Sequence, residues 1–399
     1  MNQQPTTKKL TLCMIVRNEE ARLADCLESV KDAVDEILIV DTGSTDRTVE
    51  IAESFGARIG RFEWNDDFSA ARNFAIENAT GDWILQIDAD EKLHPDSIPH
   101  IRGFMENDEI DAVFIAIHNH ERTSAGEPRI VVHPYPRLFR RREDIRYQGI
   151  VHEFLTNLNA TVFTALRIDH YGYDCTPEEQ KKRRARNEQL CLRQIQRDPN
   201  NAVAHFNLSG VYLGEQNIDA AQRHLERAID LIDPKDSRYQ HFYLMGLHYL
   251  AGIYGTKGQA DRAVQYCQEA MRIRPDYLDP VFMLGEIQFR AGNFEAAESA
   301  FKGYLDLRNH LAQKPAKALF SQSRFNSHDH VHMRLGTLYQ SRGDANRAEQ
   351  HYQEAIRANP NSIGANLQLA RLYTQRMDPG KAKEFLATAQ RLQQAAEAN

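Results

Sequence analysis

The sequence predicts two domains of different class: an α/β domain on a mostly parallel sheet, near residues 1–175, and an all-α domain of helical repeats, near 176–399. Two observations carry this. Over residues 9–95 short apolar runs alternate with amphipathic stretches, the signature of βαβ units. Beyond residue 176 strand patterns vanish and one helical motif recurs. A chain of 399 residues is also too long for one small core.

The elements follow in order. "KLTLCMIV" (9–16) reads as a buried strand and "EEARLADCLESVKDA" (19–33) as a helix. "DEILIVD" (35–41) is a second strand, and "STDRTVEIAESFG" (44–56) a helix capped by Ser44 or Thr45 and closed by Gly56. "ARIGRFEW" (57–64) is a third strand, "SAARNFAIENAT" (69–80) a helix and "DWILQID" (82–88) a fourth strand. Asp41 and Asp88 end their strands, where ligands gather on parallel sheets.

The repeated motif begins with "LSGVY" (208–212), "LAGIY" (250–254), "LGEIQ" (284–288), "LGTLY" (335–339) and "LARLY" (369–373), each followed by alanines in fixed register. Small residues at those positions let two helices pack closely. The motif resembles the tetratricopeptide repeat in five units, near 202–235, 244–277, 278–305, 329–362 and 363–392, the third with Gln288 where Tyr is usual. Residues 177–197 read as half of an earlier unit, and 306–328 as an inserted loop or helix. Such arrays present a concave surface for a peptide or protein; bracing a neighbouring domain is the other use.

A net charge of −7 argues against nucleic acid as partner. The five scattered cysteines, Cys13, Cys26, Cys175, Cys191 and Cys267, fit reduced thiols better than disulfides or a zinc site. The N-terminus lacks a signal-peptide apolar region, and no run approaches a membrane span. A cytoplasmic protein is expected.

"WILQIDADEKL" (83–93) runs a strand into Asp88, Asp90 and Glu91. Acids held this close repel one another and call for a positive partner. Two carboxylates one residue apart can share a hard divalent cation, Mg²⁺ or Mn²⁺, with substrate phosphates; a solvated acidic turn is the bland alternative. In "IVDTGSTDRT" (39–48) Gly43 permits a tight turn after Asp41, whose carboxylate can accept from a ribose hydroxyl or a base N–H, or simply form an Asx-turn.

Taken together, "TLCMIVRNEEARLADCLESV", "VDTGSTDRT" and "ARNFAIENATGDWILQIDADE", in this order, resemble the family-2 glycosyltransferases, inverting enzymes with a nucleotide-diphospho-sugar transferase fold. The likeness is close over 9–95 and looser over 96–175. It implies a nucleotide-diphosphate sugar, of the UDP type, as donor. By the same resemblance Asp41 contacts the nucleoside, Arg72 lies near the base or diphosphate, and Arg17 and Asn18 border the nucleotide. Asp67 and Asn73 shape that pocket. Asp88 and Asp90 form the metal motif, Asp90 the more direct ligand, and His170 completes the metal shell or touches the diphosphate. "PRLFRR" (136–141), "YQGIVHEFL" (147–155) and "IDHYGY" (168–173) resemble a subgroup that also carries tetratricopeptide repeats.

Inverting transfer needs one base to deprotonate the acceptor. Glu153 is the candidate, with His152 orienting it or serving as the base itself. Arg137, Arg140 and Arg141 either guide the diphosphate or an acidic acceptor or form a solvated basic face. "HNH" (118–120) does not signal a nuclease, since the supporting metal spacing is missing. Neither a P-loop nor a dinucleotide fingerprint is present. The reading is a metal-dependent hexosyl transfer to an acceptor, a peptide or protein side chain held by the repeats; a cell-envelope saccharide as acceptor, or an inactive scaffold recruiting partners, are the alternatives.

Overall fold

The computed structural model describes residues 8–122, 128–172, 177–313 and 324–397. Cys175 and the expected boundary at 175/176 lie outside them. The chain forms two compact units, one reaching Gly246 and one starting at Leu247.

The first unit holds an eight-stranded mixed sheet. Its parallel half contains β1 (Leu10–Val16), β2 (Glu36–Asp41), β3 (Arg58–Arg61) and β4 (Trp83–Gln86). The other half contains β5 (Glu91–Leu93), β6 (Ala112–Arg122), β7 (Pro128–Arg140) and β10 (Thr161–His170), and the order is β3-β2-β1-β4-β7-β6-β10-β5. β4 meets β7 antiparallel, where the parallel half ends. A separate hairpin pairs β8 (Tyr147–Gln148) with β9 (Phe154–Leu155).

β1 is apolar apart from Thr11 because both faces of the sheet are covered. Leu10, Leu12 and Met14 face a cluster with Leu23 and Leu27 of α1 (Leu23–Val30) and Ile101 and Met105 of α4 (Ile98–Met105). Cys13 faces the opposite cluster, with Ala75 and Ile76 of α3 (Phe68–Asn78), Phe139 and Tyr147. This period-two division fixes which side chains of each strand end reach the ligand edge. α2 (Thr48–Ser54) starts later than expected, and Asp46, not Ser44 or Thr45, accepts the Thr48 N–H (3.0 Å). Ser44 and Thr45 are engaged by Asn18 instead.

After β10 the chain is helical. α5 (Pro177–Arg197) is a single helix, and α6 (Ala202–Gly214) and α7 (Ile218–Leu231) make the first repeat. α8 (Gln240–Thr256) pairs in sequence with α9 (Ala260–Ile273), α10 (Leu278–Arg290) with α11 (Phe294–Gln313), α12 (His328–Ser341) with α13 (Ala345–Ala358), and α14 (Ile363–Gln375) with α15 (Pro379–Glu397). α11 outlasts an ordinary repeat helix, so part of the expected insertion is helix; residues 314–323 are not described. Cys13, Cys26, Cys191 and Cys267 are buried free thiols.

Candidate active site

The carboxyl ends of β1, β2 and β4 line one edge. Val16 pairs with Asp41, and Arg17 and Asn18 follow, both exposed. Asn18 adopts φ +57°, which Asn tolerates. Its N–H donates to Ser44 Oγ (3.0 Å) and its Oδ1 accepts from the Thr45 N–H (2.8 Å), locking two ligand-edge loops together. Asp41 Oδ1 accepts from the Ser44 N–H (2.9 Å) around Gly43, at φ +106°. The Asx-turn is therefore real. It uses one oxygen of Asp41; the other has no protein partner among the described residues.

α3 holds the next group. Asp67 caps it, accepting from the Ala70 N–H at 3.0 Å, and so serves the helix directly. Asn73 bonds both backbone groups of Tyr147, donating to its O and accepting from its N–H, each at 2.9 Å. Those two bonds fasten β8 to α3 as a neighbouring strand would. One residue earlier, Arg72 Nε donates to Glu153 Oε1 (2.5 Å) and Nη2 to Asp88 Oδ1 (3.0 Å), while the guanidinium lies 5.6 Å over the Tyr147 ring.

Asp88 also accepts from Gln86 Nε2 (2.9 Å) and lies 3.5 Å from Arg137 Nη2, which donates to Glu91 Oε1 at 2.5 Å. Burial alone would raise the Asp88 carboxyl; Arg72 and Arg137 outweigh it and hold it at about 2. Burial lifts Glu91 to about 7 against the pull of Arg137. It lifts Glu19 to about 7 as well, with Asp90 and Asp88 adding to the effect. Arg72 Nη1 and Arg137 Nε are buried without a hydrogen-bond partner among the described residues.

Asp90 meets His170. His170 Nε2 lies 3.4 Å from Asp90 Oδ2, and His170 Nδ1 lies 2.8 Å from Asn119 Oδ1. The Asn119 amide donates to Val131 O, so its Oδ1 faces the imidazole and Nδ1 carries the proton. Nε2 then shares either a proton or a cation with Asp90. Burial lowers the His170 pKa, but the Asp90 bond and the charges of Asp90, Glu91 and Asp88 outweigh that and raise it. Gly172 makes the approach possible: a Cβ there would stand 2.1 Å from Asp90 Oδ2 and 2.5 Å from His170 Nε2.

Glu153 and His152 occupy the turn of the β8–β9 hairpin, with Gly149 at φ +97° and His152 at φ +54°. Burial lowers the His152 pKa, so its ring is neutral near pH 7. Arg72 thus brings Asp88 and Glu153 together, Asp90 meets His170, and Asp41, Arg17 and Asn18 stand at the adjoining strand ends. Of the basic run, only Arg137 reaches this group. Arg140 covers Trp83, and Arg141 Nε donates to Gly81 O (2.7 Å), both at the amino end of β4. Asn119, Gly172 and Glu19 were not legible as site residues. The Asn of "HNH" and the glycine of "HYGY" were visible signals, but only the β6–β10 pairing of Asn119 with His170 gives them meaning.

Residues 11–165 match the family model for glycosyl transferase family 2, and residues 256–319 and 339–399 match the tetratricopeptide repeat model. A TPR repeat-containing protein of Synechococcus elongatus is 36% identical over 292 residues, covering 69% of this chain and 68% of that protein. The chain carries a glycosyltransferase family 2 domain followed by tetratricopeptide repeats. This glycosyltransferase is also 33% identical over 211 residues to the SPbeta prophage-derived glycosyltransferase SunS of Bacillus subtilis, covering 50% of this chain and 48% of SunS. An uncharacterized glycosyltransferase of Rickettsia felis is 38% identical over 125 residues, covering 31% and 40%. The glycosyltransferase thus spans about half or less of the latter two. No described helix is long and apolar enough to cross a membrane.

Proposed function

We propose that this chain transfers a sugar, with inversion, from a uridine-diphosphate-type donor to a nucleophile on a peptide or protein held by the repeats. The shared guanidinium of Arg72 carries the reading. It fixes a carboxylate at the donor end of the sheet, Asp88, against a carboxylate on the hairpin, Glu153. Donor and acceptor chemistry thereby meet at one buried cation.

Charge balance supports a divalent cation. Arg72 and Arg137 are paired with Asp88, Glu91 and Glu153, so their charge is largely offset before a diphosphate enters. Among the described residues no three acid, His or Cys side chains are placed to hold a metal. Mg²⁺ and Mn²⁺ are commonly held by one or two protein groups plus substrate phosphates, and Asp90 with His170 fits that demand. Once bound there, the cation would neutralise the leaving diphosphate. Asp88, caged by arginines, orients the group rather than reaching outward. In this reading Asp41 accepts from the nucleoside through its remaining oxygen, beside the Arg17–Asn18 loop. Glu153 Oε2, the oxygen not bonded by Arg72 Nε, takes the acceptor's proton in this reading as the nucleophile attacks the anomeric carbon. His152, neutral and adjacent, orients the turn.

The test is hydrolysis of a panel of nucleotide sugars by the purified chain with Mn²⁺ or Mg²⁺, beside Asp90→Ala. Cation-dependent release of one nucleoside diphosphate, lost in the variant, supports the proposal. Failure of every donor both to turn over and to bind by calorimetry overturns it.

A further inference from the structure

The turn carrying His152 and Glu153 is bracketed by two residues that pack on helices following the sheet, Val151 buried and Phe154 half-buried. On one side Val151 packs with Leu190 and Cys191 of α5 and Leu208 of α6. On the other, Phe154 sits edge-on to Phe242 of α8, ring centroids 5.3 Å apart, within a cluster containing Val203, Phe206 and Ile232. The polar contacts divide between α3 and the later helices. Gly149 O accepts from Ser69 Oγ (2.6 Å) and Ile150 O from the Phe68 N–H (3.0 Å), both on α3. The next carbonyl, Val151 O, takes its bond from Asn207 Nδ2 of α6 (3.4 Å), and His152 Nε2 lies 3.5 Å from Asn187 Nδ2 of α5. All these residues belong to the first compact unit.

Why should a turn need so many holds? His152 adopts φ +54°, a left-handed conformation that a non-glycine residue keeps only when its surroundings impose it. Its neighbour Glu153 must meet Arg72 on α3 while its flanks are held by different helices. α3 alone supplies one side of that grip.

We propose that α5, α6 and the start of α8 support the catalytic centre: Asn207 and Phe242 are positioning residues that hold the His152–Glu153 turn against Arg72. The inference deepens the proposed function and rests on it for the role of Glu153. These helices do more than present an acceptor-binding face, because removing their grip frees the turn to leave the left-handed conformation. Glu153 then spends less time against Arg72, and proton transfer slows. Donor binding, at the ends of β1, β2 and β4, is untouched.

Two readouts on the full chain test this. The first is hydrogen–deuterium exchange over residues 149–155 in wild type, Asn207→Ala, Phe242→Ala and Phe242→Leu. The second is donor kinetics with the cation identified above. Expected is at least tenfold faster exchange in the turn for both alanine variants, with β1 and β4 unchanged, and restoration by Phe242→Leu. With it, kcat falls at least tenfold while the donor KM stays within twofold. Unchanged exchange in the turn overturns the positioning role even if wild type shows no turnover, so this failure is distinct from that of the proposed function. Unchanged kcat alongside faster exchange overturns the catalytic consequence. An Asn187→Ala variant, altering a half-exposed side chain, guards against misfolding and is expected to shift exchange at residue 152 in the same direction.

Discussion

Asp88 and Glu153 share one guanidinium: Arg72 donates to both, through Nη2 and Nε. The arginine's planar fork matters, because an ammonium group cannot direct two fixed donors at two carboxylates. Arg72→Lys is expected to keep the charge and lose one contact, lowering stability by about 1–3 kcal/mol and kcat more than donor affinity. Glu153→Gln keeps an acceptor for Arg72 Nε but cannot take a proton. Its kcat should fall about 10²–10⁴-fold under conditions where the variant, weakened by the neutralised partner of a buried ion pair, is still fully folded. A Glu153→Gln enzyme retaining wild-type kcat would move the base elsewhere, His152 first.

Gly172 is expected to tolerate no side chain. An alanine Cβ would stand 2.1 Å from Asp90 Oδ2, so the Asp90 carboxylate must swing away from His170. Gly172→Ala should weaken cation stimulation of donor hydrolysis at least tenfold. Overpacking of this kind costs about 1–3 kcal/mol, a loss readable by chemical denaturation. Full cation stimulation in this variant would show that Asp90 and His170 need not converge.

The His170 pKa is raised above its ordinary value, chiefly because Asp90 opposes the effect of burial. A histidine more basic in the folded chain stabilises it fully below its unfolded pKa of about 6.5. That contribution is lost as pH rises through the folded value. The stability gap between wild type and His170→Gln, measured in chelator, should thus be widest in mild acid and shrink toward alkaline pH. Divalent cation has the opposite preference, since the proton competes for Nε2, so its apparent affinity should weaken as pH falls. A gap that widens with rising pH would contradict the assigned pairing.

Much of this was legible in the sequence. Periodicity marks β1, β2, β4 and the five helix pairs, because each buries a regular face. Asp41 and Asp88 stand out because they end strands, and Asp90 because it makes a close acidic pair with Asp88, whereas Arg72, Glu153 and His170 are named only through the family resemblance. What was hidden depends on long-range pairing. Only the sheet register separates Arg137, beside Asp88, from Arg140 and Arg141, which serve the far end of β4. Asn119 and His170 are neighbours across β6 and β10, 51 residues apart in sequence. The cap of α2 was misplaced because Ser44 and Thr45 are taken by Asn18, a competitor from another loop. Asn207 looks like any polar repeat residue until the turn that it holds is visible.

The repeats themselves offer a test that is independent of catalysis. In α12 a Cβ on Gly336 would stand 2.5 Å from Cε1 of Tyr352, and in α10 a Cβ on Gly285 would stand 2.5 Å from Cε1 of Phe301. Tyr352 and Phe301 are fully buried, so neither ring can step aside into solvent. The two sites are the same position of two repeats: a glycine on the first helix admits the aromatic ring of the second. Alanine has the higher helix propensity, by about 1 kcal/mol, so propensity alone predicts that Gly336→Ala stabilises. Overpacking opposes it by about 1–3 kcal/mol and should win, because the contact lies a full ångström inside van der Waals distance. The variant is therefore expected to be less stable, with unfolding of the second unit shifted down in temperature. Combining Gly336→Ala with Tyr352→Leu, which shortens the ring, should recover part of the loss. If Gly336→Ala alone raised the melting temperature, the repeat would be packed more loosely than these distances state.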